Sequence, residues 1–221
     1  MRERFGKAWA KVRDYFPSVR DFLIYLPVHF LLYELANKIY PLEKCFPVSC
    51  GLDEILGLHP WAVFPYCSWF VCVAFMLLWK LFTDREGLSR ACKYCMVTSA
   101  TALPVLFLFP CTMPLRPDSL KVTGLATWLL DHIYQVDRSS AIMPSFHVMW
   151  AFMLLFAAWN DRTFRRPLWR LFWAVQTFLI YLSTALTKQH SVLDAVFAVP
   201  FILFAYLLSF GVRKEKEPSA G

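Results

Sequence analysis

Charge is scarce in this 221-residue chain: Asp, Glu, Lys and Arg make up 18% of it, against 58% hydrophobic residues. Soluble domains carry roughly 45–50% apolar and about 25% charged residues, so a soluble globular fold is excluded for most of the length. Internal repeats and low-complexity tracts are missing as well, which removes solenoid and linker readings. The seven Cys do not form a disulfide scaffold. Cys45 and Cys50 share one loop and could pair in an oxidising compartment, whereas Cys92-x-x-Cys95 has no second Cys/His pair to complete a zinc site. No metal and no cofactor is expected.

What the chain does have is long apolar blocks. Six of them cover residues 22–40, 61–82, 93–111, 143–159, 168–186 and 191–212, each near the ~20 residues that cross a hydrocarbon core as helix. The fold class expected is all-α: an integral membrane bundle of six transmembrane helices over residues 21–212. Residues 1–20 place Phe5, Trp9, Val12 and Phe16 on one helical stripe, with Lys7, Lys11 and Arg13 off it. That pattern reads as a basic amphipathic helix on the membrane surface rather than a cleavable signal, and residues 213–221 read as a polar cytoplasmic tail.

With both termini on one side, that side collects 17 of the 23 Lys and Arg residues. The positive-inside rule makes it cytoplasmic, and this sets a multi-pass topology in the cell membrane. The net charge of +7 then faces anionic headgroups. Nucleic acid is excluded as a partner, because the basic residues are divided among short segments flanking the spans. A lipid and the bilayer are the partners expected.

Two short motifs open two of the apolar blocks: Pro144-Ser145-Phe146-His147, and Lys188-Gln189-His190-Ser191-Val192-Leu193-Asp194. A carboxylate inside a lipid-facing helix costs roughly 2.5–3.5 kcal/mol, so Asp194 needs a partner. His190 at i−4 is on the same helical face. On the expected topology Arg116, Ser145, His147, Lys188, His190 and Asp194 all gather at the extracytoplasmic face, although they come from three separate stretches. Such a set suits phosphoryl transfer. Arg116 and Lys188 offer positive charge, helix starts offer N–H donors, and Asp194 orients one nitrogen of His190 so that the other attacks phosphorus. His147 can protonate the departing alkoxide.

The long connection over residues 112–142 carries a helical stripe of Leu125, Trp128, Leu129, His132 and Ile133, with Asp118-Ser119 as its cap. It reads either as a lid over the site or as a passive interfacial helix. His29 and Glu34, on different faces of the first block, are expected to make interhelical hydrogen bonds. Asp53, His59 and Asp137 are expected to be solvated or in contact with headgroups.

Pro-Ser-x-His, a further span and then His-x-x-x-Asp at the head of the last span resemble the type-2 phosphatidate phosphatase superfamily, and Arg116-Pro117 is similar to the end of that family's first motif. The likeness covers about residues 60–212. It implies a six-span, metal-independent enzyme that hydrolyses a lipid phosphomonoester or pyrophosphate through a phosphohistidine. By that resemblance His190 is the nucleophile, Asp194 its orienting partner and His147 the general acid, while Arg116 and Ser145 bind phosphate and Lys188 restores a lost charge. Three positions depart from the family pattern. Phe109 and Thr184 stand where Lys and Arg are usual, and Phe146 replaces Gly. These departures resemble the inositol-phosphorylceramide and sphingomyelin synthases, which pass the phospho-group to an alcohol. A non-catalytic lipid-binding protein on the same scaffold is the remaining alternative.

Overall fold

The computed structural model describes residues 17–211; most of the expected surface helix (1–20) and all of the polar tail (213–221) lie outside them. Among the described residues there are eight α-helices: α1 (Pro17–Ile39), α2 (Gly51–Leu56), α3 (Val63–Thr83), α4 (Arg85–Leu108), α5 (Leu125–Val136), α6 (Phe146–Trp159), α7 (Pro167–Leu186) and α8 (Val192–Tyr206). The last runs into a π turn at Leu207–Gly211. Two strands of two residues each, β1 (Phe46–Pro47) and β2 (Cys111–Thr112), pair in parallel and tie the loop after α1 to the loop after α4.

The six expected apolar blocks become α1, α3, α4, α6, α7 and α8. Three segments combine the length and the apolarity needed to cross a membrane: Pro60–Thr83, Arg85–Leu108 and Val192–Gly211. The other three differ for identifiable reasons. α1 carries Arg20, Asp21, Glu34 and Lys38. α7 holds Arg170 and Gln176. α6 has only 14 residues, about 21 Å of helix at 1.5 Å per residue.

α6 is apolar all round, and such a helix belongs at the centre. It packs against α3, α4, α7 and α8, and Met149, Ala151, Met153, Leu154, Ala157 and Ala158 are wholly buried. α1 lies along α4. The outer faces of α3, α7 and α8 present Phe70, Phe75, Leu78, Phe172, Phe178, Phe197 and Phe204 in the open. A belt of that size is what a lipid-facing surface requires.

Ends of helices are fixed by local chemistry. Asp84 caps α4 by accepting from the Gly87 N–H at 2.9 Å. It shares the buried Lys80 ammonium with Asp161, at 3.1 and 3.0 Å. α5 starts not at Asp118-Ser119 but at Gly124, where the Thr127 hydroxyl oxygen accepts the Gly124 N–H at 3.0 Å. Cys45 and Cys50 are free thiols.

Candidate functional site

The site lies where α6 and α8 begin. Ser145 is the cap of α6, its hydroxyl accepting from the Val148 N–H at 3.4 Å. This places His147 in the first turn. Ser191 caps α8 in the same manner, accepting from the Leu193 N–H at 3.1 Å. Asp194 then falls in that helix's first turn, where the helix dipole favours a carboxylate.

His190 Nδ1 lies 2.8 Å from Asp194 Oδ2 and also 2.8 Å from the Ile142 carbonyl oxygen. A carbonyl can only accept, so Nδ1 carries the proton and donates to both oxygens. The neutral ring therefore has its lone pair on Nε2, which makes no hydrogen bond among the described residues and belongs to a residue lining a cavity. The His147 ring sits 5.5 Å from that of His190, edge to face. Tyr66 and Trp69 hold it on the other sides, with ring centroids at 4.5 and 4.6 Å.

The loop carrying His190 leaves α7 through a Schellman turn. The Gln189 N–H donates to the Thr184 carbonyl at 3.0 Å and the Lys188 N–H to the Ala185 carbonyl at 3.1 Å. Such a turn needs a left-handed residue, and Lys188 supplies it with φ at 55°. Its ammonium donates to the Asp53 carbonyl. Thr184, where the resembled family has Arg, thus has its carbonyl as the anchor of the turn, and it accepts from the His190 N–H at 3.1 Å as well.

A long-range clasp completes this loop. The Asp53 carboxylate accepts from the Ser191 hydroxyl at 2.6 Å, the Val192 N–H at 2.8 Å and the Cys50 N–H at 2.9 Å. Burial would raise its pKa, and these hydrogen bonds together outweigh burial, so the carboxyl titrates below its ordinary range. Asp53 is fully buried rather than solvated.

Arg116 donates to Gln189 Oε1 at 2.9 Å, to the Tyr134 carbonyl at 2.8 Å and to the Asp137 carbonyl, and it stacks 4.2 Å over the Tyr134 ring. The guanidinium is therefore beside Gln189, the residue that precedes His190. Burial lowers the pKa of both Arg116 and Lys188, with acidic groups opposing, Asp137 at Arg116 and Asp53 at Lys188.

The cavity has a volume of about 330 Å³. Its walls are largely aromatic and aliphatic, with His147 and His190 on one side and Leu129, His132, Ile133 and Val136 of α5 on another. α5 thus takes the place expected of a lid. No Lys or Arg lines this cavity among the described residues, whereas Glu34 and Asp137 do.

Several residues come out differently from the sequence reading. His29 and Glu34 both line the cavity. His29 Nδ1 makes no hydrogen bond among the described residues; its ring packs edge-on against Phe146 at 4.7 Å and stacks on Trp150 at 5.5 Å. Phe146, in the place of Gly, fills the space between α6 and α1. Phe109, in the place of Lys, is an exposed residue ending α4. Asp137 is held by Tyr33 and Asn37 of α1, at 3.2 and 2.9 Å, rather than solvated. The importance of Asp53 and Asp137 escaped sequence reasoning because their partners are about a hundred residues distant and carry no local pattern.

Residues 48–208, well over half of the chain, match the family model of the PAP2 superfamily. No curated protein and no solved structure matches the chain.

Proposed function

Because the chain belongs to the PAP2 superfamily, we propose that it cleaves the phosphoester of a membrane lipid by way of a phosphohistidine on His190. Superfamily membership supports a lipid phosphatase or phosphotransferase in general. The observation that carries the finer reading is the bifurcated hydrogen bond of His190 Nδ1 to Asp194 and Ile142. It holds the imidazole in the tautomer whose free Nε2 faces the cavity, and an oriented, deprotonated nitrogen is the activated nucleophile this chemistry needs.

In the first half-reaction Nε2 bonds to phosphorus and the bond from phosphorus to the lipid oxygen breaks. His147, one ring away, gives that oxygen its proton. Asp194 offsets the positive charge that develops on His190. Arg116 draws the phosphate toward the nucleophile by its charge. Ser145 and Lys188 act through the helix start and the turn that they fix. In the second half-reaction a hydroxyl compound takes the phosphoryl group from His190. Water as acceptor gives a phosphatase, hydrolysing a lipid phosphomonoester or pyrophosphate. Transfer to an alcohol is the second reading, favoured by the apolar lining of the cavity, which suits an organic acceptor better than water. No step in this scheme calls on a metal.

In the same reading α1, α3, α4, α6, α7 and α8 are six spans with both termini cytoplasmic, as the bias of 17 Lys and Arg among 23 indicates. The site then opens on the extracytoplasmic side.

The test is release of phosphate from a phosphatidate and prenyl-phosphate panel by the detergent-purified chain, with chelator present. Turnover is expected for the native protein, and His190→Ala is expected to abolish it. A variant that keeps its activity rejects the nucleophile, and loss of native turnover in chelator rejects the metal-free scheme.

A further inference from the structure

Two carboxylates in the cavity have no part in forming the phosphohistidine, and one of them, Glu34, is paired with Lys38 at 2.7 Å. Asp137 follows the last residue of α5 and lines the cavity together with His147 and His190. Tyr33 and Asn37 both donate to its Oδ1, at 3.2 and 2.9 Å. Its Oδ2 has no protein donor among the described residues. One oxygen is thus fixed by α1, and the other remains available to a ligand.

A carboxylate repels phosphate and can accept hydrogen bonds only from donors. The cavity contains no Lys or Arg among the described residues to pair with it, and the nearby Arg116 reaches its backbone carbonyl rather than its carboxylate. Imidazoles and the Tyr66 hydroxyl share the cavity, but none of them donates to Oδ2, so an O–H group brought by a ligand can do so. The second half-reaction requires such a group, next to His190.

We propose that Asp137 binds the hydroxyl compound that discharges the phosphohistidine and takes its proton. This rests on the phosphohistidine reading given above. The hydroxyl oxygen bonds to phosphorus, the bond from phosphorus to Nε2 breaks, and its electron pair returns to the imidazole. The proton moves to Asp137 Oδ2. His147 has given its own proton to the departing lipid oxygen, so transfer from Asp137 to His147 within the shared cavity restores both groups. Burial raises the carboxyl pKa of Asp137, against the opposing pull of Arg116, His190, Tyr33 and Asn37, which makes it a stronger base than an exposed carboxylate.

The experiment uses the full chain in detergent with short-chain phosphatidate labelled at phosphorus, quenched in alkali so that phosphohistidine survives. Wild type is followed with water alone and with added glycerol, which separates free phosphate from phosphoglycerol. Asp137→Asn is expected to label within about twofold of the wild-type rate, then to discharge on the order of 100-fold more slowly, so that labelled protein accumulates. Both products fall together. Asp137→Ala is expected to regain discharge when formate is added, a rescue that a misfolded chain would not show. Equal slowing of labelling and discharge, or no response to formate, overturns the proposal. Product formed by His190→Ala, which has no ring nitrogen to carry the label, overturns the phosphohistidine reading instead.

Discussion

Asp53 and Ser191 are 138 residues apart in sequence, and their side chains meet at 2.6 Å. The same carboxylate accepts the first N–H of α8 from Val192 at 2.8 Å. A short helix between the first two long ones thereby governs where the last one begins. His190 lies two residues before that start, so its ring position depends on Asp53, a residue outside both motifs.

Replacing Asp53 removes an acceptor from three donors, of which the Ser191 hydroxyl is buried and the Val192 and Cys50 N–H groups are partly so. Asp53→Ala is expected to cost about 2–4 kcal/mol in stability and to lower turnover through misplacement of His190. Asp53→Asn, which keeps one acceptor oxygen, should lose less. The folded carboxyl has a pKa below its ordinary value, so its contribution is present above about pH 4, where an unfolded carboxyl ionises. It is lost as pH falls through the lower folded value. Thermal unfolding in detergent across pH 3 to 7 checks this, since Asp53→Asn should flatten the acid side of the profile.

Lys188 adopts a left-handed backbone without being glycine, at φ 55°. That conformation costs an ordinary residue about 1–2 kcal/mol, and here its ammonium is bonded to the Asp53 carbonyl. Lys188→Ala keeps the backbone strain and loses the bond. Lys188→Gly loses the same bond but relieves the strain. The glycine variant is therefore expected to unfold at the higher temperature of the two, by a difference of about 1 kcal/mol. The reverse order would mean that the turn is not held in this conformation.

α5 covers the cavity with Leu129, Ile133 and Val136. Truncating Leu129 and Ile133 to Ala together should weaken binding of a long-chain lipid substrate by about tenfold or more, from roughly 0.8 kcal/mol per buried methylene lost. A short-chain substrate that does not reach α5 should show a smaller change. The comparison is of KM values for the two substrates, with kcat for the short one near wild type. Equal effects on both substrates would make α5 a passive cover.

Much of this protein was legible before any coordinates. Apolar blocks about as long as a bilayer is thick announce helices, since only a backbone bonded to itself survives in lipid. The helices α1, α3, α4, α6, α7 and α8 occupy the blocks read from sequence to within a few residues at most ends. The four-residue spacing also put His190 within reach of Asp194, although the imidazole comes from the turn before the Ser191 cap and not from the helix itself. Capping was less legible. Asp118-Ser119 has the right chemistry to begin α5, and Gly124 with Thr127 does so in its place.

The sequence by itself determined what is written in short range: helical content, the apolar faces, and an imidazole paired with a carboxylate one turn away. Tertiary structure alone decided which carboxylates matter and where the cations point. Asp53 and Asp137 looked like loop polar groups, yet the fold buries one under α8 and turns the other into the cavity. Arg116 and Lys188 looked like free phosphate ligands, and both donate to protein carbonyls. The reason is physical. A buried polar group must find a partner, and which partner is within reach depends on how distant segments pack together.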